Sequence, residues 1–402
     1  MAHINNQIQT VKENLKEECN QADLMLTDER IPELEFFMKI SRNYYDPDRI
    51  SQNPPKIVVV GSVFPINFMP VAMNTGIFWI PGGGRTCTSL SDEWLPRDTD
   101  PVSRSILGQI LLLEEQLKDS IMLVPLYNDA QKKILTHLID RGFHVTTLDF
   151  PSDKSNETLF RIFEKEVEKV RKLMAISMKS LNYKKLTAMS SQFMEDVAAA
   201  VDSFNKVTVK CRSFFPGTKR LFVKHSFYMT DRIEEWLENQ KRLTARLEEM
   251  SEEAETAKTA KVLIAGSSIF YPNFKIPEII KNTELTLTGL VDSTYGMFKA
   301  CDGDLKTWLA NDCTASYVRN DALINAVRHE IEVHNCDGII WHVLKGQIEY
   351  DYELTRFEES FNDHELPILR LETDYYYQDV EQLRIRVEAF AEMLKTRKSL
   401  EK

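Results

Sequence analysis

The chain carries one strand-and-turn signature twice, once in each half. Lys56-Ile57-Val58-Val59-Val60-Gly61-Ser62-Val63 is echoed by Lys261-Val262-Leu263-Ile264-Ala265-Gly266-Ser267-Ser268. Each is a short apolar run, rich in β-branched residues and closed by Gly-Ser, the pattern of a buried strand. The echo continues: Phe64-Pro65-Ile66-Asn67-Phe68-Met69-Pro70 is matched, with one residue inserted, by Tyr271-Pro272-Asn273-Phe274-Lys275-Ile276-Pro277, and both stretches read as a turn followed by a Pro-started helix. Asp119–Val124 is likewise mirrored by Cys336–Trp341. The simplest architecture is α/β: two similar doubly wound parallel-sheet domains facing each other, with any ligand beyond the carboxyl ends of the strands.

The flanking pattern divides the chain. Residues 1–54 read as a polar helical extension with an apolar stripe of Leu24, Leu26, Ile31, Leu34, Phe37 and Met38. Residues 55–151 hold four strand signals (56–61, 77–80, 121–125, 144–148) separated by helices over Val102–Leu117 and Ala130–Arg141. From 152 to 259 the strand signal disappears and charged helices form a bridge. Asp231 and Glu234 mark the start of one whose face carries Ile233, Trp236, Leu243, Leu247 and Met250. Residues 260–402 resume the α/β alternation.

A chain of 402 residues with 43% hydrophobic and 28% charged residues is ordinary globular composition. Its net charge of −11 argues against nucleic acid as the main partner, because phosphate binding needs a basic footprint. A local basic patch for an anionic ligand such as coenzyme A stays compatible with it. No apolar run approaches a membrane span, and the N-terminus has no signal-peptide pattern. The six cysteines (19, 87, 211, 301, 313, 336) are scattered without a CxxC, so a disulfide framework is not expected and a reducing cytoplasm is the default.

Candidate sites fall at strand exits. Gly61-Ser62 and Gly266-Ser267-Ser268 either present backbone N–H groups to a ligand or simply close tight turns. Pro81-Gly82-Gly83-Gly84-Arg85-Thr86 reads as a flexible surface loop, with close approach to an anion as the alternative. His329 and His334, five apart, miss the spacing that would place two imidazoles on one helix face. Asp302-Gly303-Asp304 reads as a turn. The richest loop follows the strand over 337–344, where Lys345, Gln347, Glu349, Tyr350, Asp351 and Glu353 gather polar groups. Asp351 and Glu353 equally suit the start of a helix.

At these residues the chain resembles the D-component subunits of the 2-hydroxyacyl-CoA dehydratase and benzoyl-CoA reductase family. The resemblance rests on Asp337-Gly338-Ile339-Ile340 followed by Lys345, Tyr350, Asp351 and Glu353, on the closing strand Leu366–Tyr375, and on the final helix Gln382–Leu394. Upstream it is weaker but colinear, through Asp100-Pro101-Val102-Ser103-Arg104-Ser105-Ile106-Leu107-Gly108 and Asn128-Asp129, so it spans roughly 55–400. It implies paired paralogous subunits, an acyl-CoA ligand, a 4Fe–4S cluster held by three cysteines, and an ATP-dependent activator that supplies one electron. The implied reaction passes through a ketyl radical from which hydroxide leaves.

Asp100, Asn128 and Gln347 stand at the three cysteine positions of the family. Amides and a carboxylate are poor ligands for Fe–S iron, which prefers soft thiolates. Cys87 and Cys336 are the nearby cysteines, and neither is expected to substitute. The resemblance therefore implies a subunit with no cofactor or metal of its own, forming a heterodimer with a cluster-bearing paralogue that holds the 4Fe–4S cluster. The expected substrate-binding residues are Ser62, Arg104, Asp129, Ser267, Ser268 and Lys345, with no catalytic residue assigned. A benzoyl-CoA reductase-like subunit, and a non-catalytic binding or scaffold protein on the same fold, are the alternatives. Catalysis by carboxylate and amide groups at Asp100, Asn128, Asp129 and Gln347 is the third reading.

Overall fold

The computed structural model describes residues 2–61, 77–149, 161, 165, 166, 168, 169, 172, 173, 183–230, 232–251, 259–298, 321–360 and 366–400. The strands that echo one another in sequence occupy equivalent places in two sheets. The first sheet is built from β1 (Ile57–Val60), β2 (Ile77–Ile80), β3 (Ile121–Leu126) and β4 (His144–Asp149), in the order β2-β1-β3-β4. The second, from β5 (Ala260–Gly266), β6 (Leu285–Val291), β7 (Gly338–Leu344) and β8 (Ile368–Thr373), has the order β6-β5-β7-β8. Every pairing is parallel, with Val59 opposite Leu123 in one sheet and Ile264 opposite Ile340 in the other. Parallel sheets are covered on both faces, and β1 and β7 are buried along their whole length. The α/β reading of two similar doubly wound units therefore describes the fold.

β6 was not among the strand signals. Its sequence, Leu285-Thr286-Leu287-Thr288-Gly289-Leu290-Val291, breaks the apolar run with two threonines and a glycine. Both interruptions have packing reasons. The Thr288 hydroxyl donates to the Val262 carbonyl at 3.0 Å, and Gly289 lets another helix approach closely.

The helices are α1 (Ala2–Leu26), α2 (Leu34–Tyr44), α3 (Pro47–Gln52), α4 (Pro101–Leu112), α5 (Glu114–Leu117), α6 (Asp129–Asp140), α7 (Tyr183–Lys210), α8 (Gly217–Ser226), α9 (Ile233–Ser251), α10 (Lys275–Lys281), α11 (Asp321–His334), α12 (Glu349–Ser360) and α13 (Val380–Leu400). In α1 the buried apolar positions are Val11, Leu15, Cys19, Ala22 and Leu26, spaced for one helical face. Leu24, expected on the apolar stripe, lies off that face and is 75% exposed, so the stripe assignment is corrected there. In α9, Ile233, Trp236, Leu243 and Leu247 are buried and Met250 packs against the core. Asp231, Pro65, Pro70 and Asp302–Asp304 lie outside the described residues.

One continuous apolar core runs through both sheets, and a smaller cluster around Trp341 and Phe357 fills another part of the second half. The glycine loop is part of that union, which corrects its reading as a surface loop. Pro81–Gly84 is buried, and a Cβ on Gly83 would meet the Tyr271 carbonyl at 2.0 Å. Tyr45 donates its hydroxyl to the same carbonyl at 2.6 Å, and the Tyr375 hydroxyl donates to the Gly82 carbonyl at 2.7 Å. The missing side chains let segments from both halves approach to direct contact.

Candidate functional site

The carboxyl ends of β3 and β7 lead into loops that meet. Asn128 follows β3 and caps α6, accepting the Gln131 N–H at 2.8 Å. Asp100 caps α4 in the same way, accepting the Ser103 N–H at 3.0 Å, with Pro101 at the first helical position. Gly346 and Gln347 follow β7. The Gln347 amide donates to Asp100 at 3.2 Å, across 247 residues of sequence. Gly346 has φ +85°, and a Cβ there would lie 2.9 Å from the Asp98 carbonyl oxygen. The left-handed glycine is what lets the second loop lie against the first.

These loops enclose a cavity of about 590 Å³ lined by Asp98, Thr99, Asp100, Asn128, Asp129, Ala130 and Lys133 from the first half, with Gly346, Gln347, Ile348, Glu349, Tyr352, Glu353 and Arg356 from the second. The volume falls within the size range of small-molecule sites. Asp100, Asn128 and Gln347, far apart in the chain, thus share one wall-to-wall space. Asp129 joins them from the first turn of α6, exposed and accepting from Lys132 at 3.1 Å.

The other candidates sit elsewhere. Arg104 is buried beneath the Tyr376 ring and paired with Asp92 at 2.5 Å. Ser267 is a buried strap: its hydroxyl accepts the Leu344 N–H at 2.9 Å, its N–H donates to the His342 carbonyl at 2.8 Å, and its own carbonyl meets His342 Nδ1 at 2.9 Å. Ser268 bonds the Ser293 hydroxyl at 2.9 Å. Lys345 is exposed, its N–H bonding the Thr373 carbonyl at 2.9 Å. None of these four lines the cavity. Ser62 lies outside the described residues.

Two carboxyls of the cavity, Asp100 and Glu349, are held toward their protonated forms. Burial raises the Asp100 carboxyl above its usual range, against hydrogen bonds from Ser103 and Gln347 that favour its ionised form. Burial, with Asp100 adding repulsion, pushes Glu349 up to about 7. Glu349 belongs to the polar loop that the sequence points to, whereas Tyr352 and Lys133 are site residues that the sequence reading does not name. The available signal was that Glu349 and Tyr352 begin the helix after the polar loop, and that Lys133 lies one turn into the helix capped by Asn128.

The described lining offers carboxylate and amide groups and no thiolate. That donor set does not fit a cysteine-held iron–sulfur cluster. Among the described residues no three His, Cys, Asp or Glu side chains are grouped to hold a metal ion. Cys87 is fully buried in the 3-10 turn over Thr86–Ser91, its thiol pushed well up by burial and by nearby Glu18. Cys336 precedes β7, whose seven residues at about 3.3 Å each separate it from Gln347 by roughly 20 Å. Cys301 and Cys313 lie outside the described residues.

Residues 51–394 match the family model described as 2-hydroxyglutaryl-CoA dehydratase, D-component. No curated protein matches the chain. Among the described residues, no helix is long and apolar enough to cross a membrane. The family match covers most of the chain, both sheets and every residue of the cavity, and the chain belongs to that family.

Proposed function

We propose that this member of the 2-hydroxyglutaryl-CoA dehydratase D-component family serves as the cluster-free subunit of a 2-hydroxyacyl-CoA dehydratase-like complex. The reaction of that complex removes water from a 2-hydroxyacyl thioester to give the 2-enoyl thioester, on a paralogous subunit that carries the iron–sulfur cluster. This chain supplies a wall of the substrate space and the surface on which the paralogue pairs. The observation that carries the reading is the convergence of Asp100, Asn128 and Gln347 on one cavity without a thiolate among its described residues. The positions are together, but the ligand type has changed from sulfur to oxygen and amide. Gln347 and Asp100 satisfy one another, so the loops keep their places through a direct hydrogen bond.

In this role the chain's own residues bind and position. Glu349, held near neutrality in its titration, can donate a hydrogen bond to a ligand oxygen when protonated. Lys133 is the cation of the lining left to meet the anionic remainder of an acyl-CoA ligand, because Arg356 already pairs with Glu353 and Asp321, each at 2.5 Å. Electron delivery by an ATP-dependent activator belongs to the partner.

Co-expression with a family member that retains the cysteines tests the reading, with native mass and iron and sulfide measured on the complex and on the isolated chain. The expected result is a heterodimer whose iron follows the partner, and an isolated chain without iron. About four iron atoms on the isolated chain would overturn the cluster-free assignment. A homodimer that ignores every cysteine-bearing relative would overturn the partner and favour a binding or scaffold protein.

A further inference from the structure

Helix α8 is buried at all ten of its residues although it carries Lys219, Arg220, Lys224 and His225. Such a helix requires a partner for each charge, because burying an unpaired ion is costly. Lys219 pairs with Asp28 at 3.2 Å. Arg220 pairs with Glu330 at 2.6 Å and contacts His334 at 3.0 Å. His225 contacts the Thr294 hydroxyl at 2.8 Å. Lys224 alone among them has no hydrogen-bond or ion-pair partner among the described residues. Its ammonium faces the rings of Tyr295 and Phe298, 5.7 and 6.0 Å from their centres.

The carboxylates that Lys224 senses are already occupied. Glu330 takes Arg220, His334 at 3.2 Å and the Tyr295 hydroxyl at 3.0 Å. Asp292 takes the Thr294 N–H at 2.8 Å and its hydroxyl at 2.6 Å, with the Ile269 N–H at 3.4 Å. Both lie beyond ion-pair distance from Lys224. The place is the carboxyl end of β6, where ligands of open α/β sheets bind, and Ser293 there is exposed to solvent.

We propose that Lys224 is the cation of a carboxylate-binding site at the carboxyl end of β6, walled by Tyr295 and Phe298. Burial, and then the charge of Arg220, draw the Lys224 amine down to about 8, so it remains mostly charged at neutral pH. A single ammonium suits a monoanion. A phosphate dianion would have to sit in the field of Asp292 with one cation to balance it. The carboxylate belongs either to a small free acid or to the far end of an acyl thioester. Lys224, Tyr295 and Phe298 do not line the cavity around Asp100, although Tyr350 lies close both to Glu349 of that cavity and to Asp292 and Ser293, and the proposal stands independently of the proposed partner.

The test uses the full-length chain with glutarate, a coenzyme A mono-thioester of glutarate, and inorganic phosphate as probes at constant ionic strength. Thermal unfolding is followed together with the rate at which an amine reagent labels Lys224, read by peptide mass spectrometry. The expected result is a saturable rise in Tm with glutarate, absent in Lys224→Met and retained in Lys224→Arg, and labelling of Lys224 slowed roughly tenfold at about ten times the apparent Kd. Stronger protection by the thioester than by glutarate assigns the carboxylate to an acyl chain, and equal or weaker protection assigns it to a free acid. An undiminished Tm response in Lys224→Met, labelling that carboxylates do not slow, or protection by phosphate as strong as by glutarate would each overturn the proposal. If Lys224→Met does not fold, the labelling of the unaltered chain decides alone.

Discussion

The Gln347 side chain donates to the Asp100 carboxylate at 3.2 Å, binding the loop after β7 to the cap of α4 in the opposite half. Asp100 is buried, so this contact and the Ser103 N–H are made away from water, where an unmade hydrogen bond is costly. Asp100→Ala is expected to lose about 1 kcal/mol for the cap and a further ~1–3 kcal/mol for the orphaned Gln347 amide. Asp100→Asn, which keeps an acceptor, should lose clearly less. A double-mutant cycle with Gln347→Ala, read by urea unfolding, should give a coupling of about 0.5–1.5 kcal/mol. Strictly additive losses would mean that the two loops are held together by something else.

Gly346 is the hinge of the same contact. An alanine there would have to hold φ +85° and place its Cβ 2.9 Å from the Asp98 carbonyl oxygen. Gly346→Ala should destabilise by ~1–3 kcal/mol. A Tm equal to that of the unaltered chain would show that the loop has another conformation open to it.

Glu349 gives a pH signature whose sign is fixed by its environment. Its folded pKa, about 7, lies above the usual carboxyl value, chiefly because of burial. The folded state then holds the proton more tightly than the unfolded chain, and this group's contribution to stability declines as pH rises between about 4.5 and 7. Asp100 is shifted in the same direction and adds to the trend. Glu349→Gln keeps the shape without the charge, so its stability relative to the unaltered chain should be higher at pH 8 than at pH 5. Parallel stability curves for the two proteins across that interval would contradict the assignment.

Arg220 and Glu330 form a buried ion pair at 2.6 Å, both less than a tenth exposed. Burial opposes the charge on Glu330, yet Arg220 and then His334 hold its carboxyl well below the usual range. Glu330→Ala strands the Arg220 guanidinium inside the protein and should cost about 3–5 kcal/mol. Equilibrium unfolding in urea measures it, and a loss below ~1 kcal/mol would place Arg220 in contact with water.

Ser267 offers a lever on the site from outside it. Removing its hydroxyl leaves the buried Leu344 N–H without an acceptor. Ser267→Ala should cost ~1–3 kcal/mol and loosen the 345–347 loop, seen as faster amide exchange at Gly346 and Gln347. Unchanged exchange there would restrict Ser267 to a local role in β5 and β7.

The sequence by itself determined the elements whose burial is written into adjacent residues. The apolar runs at 57–60, 121–126, 260–266 and 338–344 are strands, and their echo yields two sheets of the same strand order. The family resemblance, carried by local motifs, singled out Asp100, Asn128 and Gln347 as a set, and the structure brings them to one cavity. The sequence did not reveal β6, where Thr286, Thr288 and Gly289 mask the strand, Thr288 serving a hydrogen bond to β5 and Gly289 the close approach of α8. Nor did it show that Leu24 faces solvent, that the three glycines at 82–84 are an interlock, or that α8 is buried with its charges. The contact between Asp100 and Gln347 was equally out of reach. Periodicity reports which face of an element is covered, whereas the docking of two sheets decides what covers it, and that is where the cavity and the Lys224 edge arise.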